Sequence, residues 1–279
     1  LKLRDAINAG EIPGPRLLCA GQPVTSVKGH CHFWNGEADG LEEAREVIER
    51  QVEKGVDLIK IMATGGNLTK GSDPSLAQFD LQTTAAIVKE ANDRGFAVAA
   101  HCHGTQGIDH AARARVNTIE HCSWLDSTGK RQGYEAGIAE VIAANDVWIS
   151  PTINAGWKRF IDGKADMVPI AMENFRKMRE AGVRLIASTD AGIPNVRHED
   201  LARALPVFAH IAALTCVEVL RSATSDCAGA IGLGTITGKI EVGFDADLMF
   251  VDGNPLEDLE VLQRPAAVVA RGAVVLDLN

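Results

Sequence analysis

Short, almost wholly apolar runs alternate with amphipathic segments along this 279-residue chain. That alternation constrains the fold more than any other feature. The runs at 16–20, 58–62, 96–101, 118–121, 147–151 and 184–189 carry few polar residues inside them, as strands buried on both faces do. Between them, 41–54 places Leu41, Ala44, Val47, Ile48 and Val52 on one stripe, with Gly55 as its stop. Segments 81–94, 107–115, 135–144 and 168–180 read as helices in the same way, and 201–213 as a helix bent by Pro206. Repeated strand-then-helix units with short links predict a parallel sheet covered by helices. The fold expected is α/β, a TIM-like (β/α)8 barrel represented by about six strand–helix units. Residues up to Gly10 read as the tail of a helix, so the barrel is expected to be N-terminally incomplete.

The texture changes after Thr215. Residues 217–223 read as a helix and 226–231 as a further turn. The stretch from Gly234 to Asp252 is punctuated by glycine and rich in β-branched residues. With 266–276 it predicts a few antiparallel strands, a small C-terminal β segment from a flanking β-sandwich. The expected division is a barrel over 1–232 and this β segment over 233–279.

Composition removes several classes of function. Net charge is −9, which gives no basic footprint for a phosphate backbone, so no nucleic-acid partner is expected. No apolar run approaches the roughly 20 residues of a membrane helix, and the first residues lack the apolar core of a signal peptide. The partner expected is a small-molecule substrate, with a homo-oligomer compatible with the sequence. Six cysteines without a CxxC pair read as buried free thiols of a cytoplasmic protein. Cys102 and Cys122 each follow a histidine. One step along a strand points to the opposite face, so both are expected to pack outward against helices.

Four of the apolar runs end in residues that carry chemistry: Lys60, His101, His121 and Asp190. Taken singly, each has an ordinary explanation. A strand-end histidine is usually structural, a lysine usually reaches solvent, and Thr189-Asp190-Ala191-Gly192 is a common turn. In a barrel, however, strand carboxyl ends converge on one face, and four such groups there form a metal-ligand set. Imidazoles suit Zn, Fe or Mn, and a carboxylate adds a hard oxygen. Lysine becomes a useful ligand once its amine condenses with carbon dioxide to a carbamate, whose two oxygens can bridge two ions.

These stretches resemble the amidohydrolase superfamily, within the imidazolonepropionase-related group that includes Xaa-Pro dipeptidases. The motifs are Asp57-Leu-Ile-Lys-Ile-Met-Ala-Thr-Gly-Gly66, Val98-Ala-Ala-His-Cys-His-Gly104, Thr118-Ile-Glu-His121 and Ser188-Thr-Asp-Ala-Gly192. Gly14-Pro-Arg-Leu17 and Gly243-Phe-Asp-Ala-Asp-Leu248 extend the resemblance over nearly the whole chain. The resemblance implies one or two divalent ions, zinc first among them, with a CO2-derived carbamate on Lys60. His101 and His121 would bind the more exposed ion and Asp190 the more buried one. It also implies hydrolysis of an amide bond in a dipeptide or N-acyl amino acid by a metal-bound hydroxide, with Asp190 as general base and then acid. His103 would face substrate and orient the scissile carbonyl, and His198 would contact substrate. Arg159 and Arg197 could clamp a substrate carboxylate, although exposed solvation explains each.

The family's first barrel strand carries a His-x-His pair for the buried ion, which this sequence does not contain. His30-Cys31-His32 resembles a substitute. Its place in the loop after 16–20 instead points to a substrate-loop or structural role. Two alternatives follow: a catalytically incomplete fragment or binding remnant, and a mononuclear cyclic-amide hydrolase using His101 and Asp190 without a carbamate.

Overall fold

A computed structural model describes residues 1–278 and divides them into two compact units, each treated by itself. The first comprises residues 1–149 and 181–184. It opens with α1 (Lys2–Asn8), followed by a two-residue parallel pairing of β1 (Thr25–Ser26) with β2 (Glu37–Ala38). Then come α2 (Leu41–Glu53), β3 (Leu58–Met62), α3 (Leu81–Asp93), β4 (Ala97–Gly104), α4 (Thr105–Arg113), β5 (Thr118–Leu125), α5 (Ala136–Ala144) and β6 (Trp148–Ser150).

Local chemistry sets these boundaries. The stripe of α2 buries Ala44, Val47 and Ile48, and Gly55 follows its end at φ +74°. Asp80 caps α3 by accepting from the Thr83 N–H at 2.7 Å, which satisfies one of the donors a helix start leaves open. Between the strands the pairing is parallel. Lys60 lies beside Ala99, Met62 beside His101, and Ala99 beside Thr118. Ile59, Ile61, Val98, Ala100 and Ile119 are buried to 1% exposure or less, as the sequence texture required.

The second unit comprises residues 150–180 and 185–278 of the described chain. It holds α6 (Lys158–Asp162), α7 (Met167–Glu180), α8 (Leu201–Ala212), α9 (Cys216–Ala223) and α10 (Ser225–Ala230). Strand β7 (Arg184–Leu185) falls where the chain passes between the units. Pro206 lies inside α8. The tail forms an antiparallel sheet of β8 (Leu248–Val251), β9 (Pro265–Ala270) and β10 (Ala273–Asp277), in the order β10-β9-β8. A two-residue turn joins β9 to β10, with Arg271 and Gly272 both at positive φ, the geometry that matches the twist of a hairpin.

The fold is the α/β class expected, and its principal sheet is parallel with the order β3-β4-β5-β6-β7. Hydrogen bonds do not close that sheet into a barrel among the described residues. Two expected strands need correction. Residues 16–20 form no strand. The Cys19 N–H donates to the Asp57 side chain at 2.7 Å instead of to a backbone carbonyl, and pairing with β3 waits until Val24. Val24 bonds Lys60 O and the Met62 N–H, each at 2.8 Å, just after Pro23, which has no N–H to offer. The strand expected over 184–189 stops at Leu185, because the Ala187 N–H donates to Ser222 O and Ser188 Oγ accepts from the Thr152 N–H. The sheet therefore has five strands where six were expected.

No helix among the described residues is long and apolar enough to cross a membrane. The cysteines are all free, and Cys102 faces outward as expected, its thiol directed at the Gly107 carbonyl of α4 at 3.7 Å.

Candidate metal centre

The site is built on β3, β4 and β5, which continue past Lys60, His101 and His121 to Met62, Gly104 and Leu125. Residues two apart on a strand share a face, so His101 and His103 project together from β4. Lys60, paired with Ala99, lies on that same face of the sheet. His121 presents a problem of register. It pairs with Cys102, whose side chain faces outward, and strict alternation would turn the imidazole away from the site. The backbone resolves this. His121 and Cys122 adopt φ +68° and +49°, and the β4–β5 register shifts between Cys102 and Gly104. This bulge turns the imidazole inward. The His121 ring then lies 4.7 Å from that of His101 and stacks at 4.4 Å on that of His103.

One ligand nitrogen from each of His101, His103 and His121 lies within 4.8 Å of the others. Burial pushes the His103 imidazole down to about 3 and holds His101 and His121 well below the ordinary imidazole range. Neighbouring charge adds to this, with Lys60 acting on all three. The rings are therefore neutral at pH 7 and keep the lone pairs that metal ligation requires. Hydrogen bonds occupy one nitrogen in each of two of these rings. His101 Nε2 donates to Gly65 O at 3.0 Å, which leaves Nδ1 as its ligand atom. His103 Nδ1 meets Ser123 Oγ at 2.8 Å, which leaves Nε2. Such outer bonds fix tautomer and ring direction at metal sites. This donor set fits a divalent ion of the zinc type.

The structure thus brings together Lys60, His101, His103 and His121. Asp190 and His198 belong to the second unit. Asp190 is exposed at φ +59°, on a segment pinned by Ser188 and by the bond from Asn154 Nδ2 to Thr189 O. The exposed His198 imidazole packs 3.8 Å from the position of a Cβ on Gly192, two residues after Asp190. Arg197 pairs with Glu199 and Arg159 covers the Phe160 ring, both at the surface.

Sequence reasoning missed Ser123 and the half-buried Arg131, whose Nη1 donates to Ser123 O at 3.4 Å. It also undervalued His30. That imidazole is 4% exposed, and its ring centre is 4.6 Å from that of His101. Its partner His32 is only half-buried and stands edge-on to Phe33. The signal for His30 was present in Gly29-His30-Cys31-His32, but only the folded loop separates the inward histidine from the outward one.

A parallel α/β sheet from which three neutral imidazoles converge offers a cluster that could hold a metal ion. Residues 1–275 match the amidohydrolase family, and the chain belongs to it. It is 29% identical over 298 residues to an ochratoxinase of Aspergillus niger, which covers 96% of this chain and 61% of the relative. The chain therefore spans under two thirds of that relative's length. An imidazolonepropionase of Shouchella clausii is 27% identical over 174 residues, covering 61% of this chain and 35% of the relative. Among solved structures, a Xaa-Pro dipeptidase with bound methionine in the active site superposes with a TM-score of 0.83 and 30% identity. It covers 98% of this chain and 71% of its own.

Proposed function

We propose that this protein hydrolyses an amide bond in a small substrate, a dipeptide or N-acyl amino acid, with the aid of a divalent metal ion. The observation that carries this reading is the trio of buried His101 and partly buried His103 and His121 on adjacent strands of an amidohydrolase-family chain. A divalent ion held there would supply Lewis acidity and acidify a water molecule. The chain's own residues do the rest. His101 and His121 would hold the ion, and Lys60, as a carbamate, would complete an anionic ligand set. His103 orients the scissile carbonyl, its ring set by Ser123. By the family resemblance, the role of general base and then acid falls to Asp190 and contact with substrate to His198. Family likeness supports the substrate class, since the relatives bear the names ochratoxinase and Xaa-Pro dipeptidase.

Metal analysis of the full-length protein, followed by a screen of dipeptides and N-acyl amino acids, tests this. Stoichiometric divalent metal and release of free amino acid are expected. Substoichiometric metal after metal-supplemented expression would sink the proposal. One observation favours a second reading, a single ion: the trio contains three imidazoles and no carboxylate, the ligand set of a mononuclear hydrolytic site. Lys60→Ala separates the two. Loss of metal and activity supports the carbamate, whereas retention of both supports the mononuclear site.

A further inference from the structure

The second unit contains a cleft that the proposed chemistry does not use. None of Asp190, His198 or the residues of the metal centre lines it. Its volume is about 460 Å³, within the range of about 300–1,000 Å³ typical of small-molecule sites. Three elements wall it: α6, α8 and the 3-10 turn Leu259–Gln263, which packs against α8. Each turns one face to the same space. From α8 come Arg203, Pro206, Val207 and His210, spaced i, i+3, i+4 and i+7, which is a single helical stripe. Lys158 and Ile161 stand three apart on α6, and Glu260 and Gln263 three apart on the C-terminal turn.

The walls differ in chemistry. Pro206, the residue that interrupts α8, forms an apolar floor with Val207 and Ile161. Lys158 and Arg203 bring positive charge, and their present partners hold them weakly. Lys158 Nζ lies 3.4 Å from Asp162, and Arg203 Nη1 lies 3.2 Å from Asp200. Both cationic side chains are largely exposed, and exposed pairs of this kind add little. The guanidinium keeps further N–H groups, and its planar fork suits a carboxylate. Glu260 brings the opposite sign. Its carboxylate accepts from the Gln263 side-chain amide and makes no ion pair among the described residues.

This mixture selects among ligands. A simple anion would meet the Glu260 charge, and a simple cation would meet those of Lys158 and Arg203. A zwitterion with an aliphatic body satisfies both charged walls and the floor between them. We propose that the cleft binds a free amino acid with an aliphatic side chain. Its carboxylate pairs with Arg203 and Lys158, its ammonium with Glu260, and its side chain packs on Ile161, Pro206 and Val207. This binding goes beyond the hydrolase reading and does not depend on it.

Calorimetric titration of the full-length, metal-loaded protein tests it with three probes. L-Leucine carries both charges, 4-methylpentanoate only the carboxylate, and 3-methylbutylamine only the ammonium. None contains an amide bond, so turnover does not intrude. Leucine should bind saturably and more tightly than either analogue. Arg203→Gln should weaken leucine and 4-methylpentanoate by about fivefold, the upper range for an exposed ion pair, and leave 3-methylbutylamine unchanged. Glu260→Gln should do the reverse, weakening leucine and the amine alone. Equal leucine affinity in the parent and both variants would overturn the proposal, because leucine would then be held elsewhere. So would an analogue that binds as tightly as leucine, or no saturable binding of leucine at all.

Should a variant fail to fold, 13C-methyl NMR of the unaltered protein replaces it. The methyl resonances of Val207 and Ile161 should move together on titration with leucine. Unmoved resonances at saturating leucine overturn the idea. A protein that hydrolyses nothing yet shows the crossed pattern of affinities refutes the hydrolase reading alone.

Discussion

At His121 backbone strain and chemistry are inseparable. A left-handed φ on a non-glycine residue is uncommon and costs about 1 kcal/mol or more. Here it occurs at two successive residues, where it aims an imidazole. His121→Asn, which tolerates the same φ, should therefore fold but lose tightly bound metal, read by elemental analysis of the purified variant. Full metal content would remove His121 from the ligand set. The imidazoles also predict a pH dependence. Burial lowers the folded-state pKa of His101, His103 and His121 below the 6.5 of a free imidazole, so the unfolded chain binds more protons in acid. For the metal-free protein this stability is intact above pH 6.5. It is lost as pH falls from 6.5 toward the folded values, about 3 for His103. Each histidine contributes at most about 1.4 kcal/mol per pH unit. Thermal midpoints of the metal-free protein between neutral and acid pH should fall accordingly, and His103→Gln should flatten the decline.

Among the elements, α3 and β4 offer contrasting tests. Asp80→Ala removes an exposed cap and should cost about 1 kcal/mol in urea unfolding, with the site unaffected. Gly104 ends β4 where a Cβ would lie 2.1 Å from Ser75 O. Backbone cannot yield as a side chain can, so Gly104→Ala should cost about 1–3 kcal/mol and should also lower metal affinity, because it pushes on the strand that carries His101 and His103. Equal stability of Gly104→Ala and the parent would refute the contact. The elements were legible in the sequence where one cause dominates. The apolar stripe and glycine stop of α2, and the largely buried apolar run of β3, appear as read. They were illegible where a side chain intercepts a backbone bond, as Asp57 does at Cys19 and Ser188 does at Thr152.

For the molecule as a whole, an ion that binds only the folded state must stabilise it in proportion to occupancy. Zinc added to the metal-free protein should raise its thermal midpoint, and a chelator should reverse the rise. No shift at concentrations that load the site would contradict a native metal centre. The sequence by itself determined the α/β class, the family, and the apolar strands on which Lys60, His101 and His121 stand, because apolar periodicity and residue type are local properties; the strands run on past all three residues, to Met62, Gly104 and Leu125. Tertiary structure alone decided that His103 joins the imidazole trio, that a bulge brings His121 inward, and that His30 enters the site while His32 stays outside. Those outcomes depend on register, left-handed backbone and the space left by Gly66 for the His30 ring, which arise only when distant segments pack together.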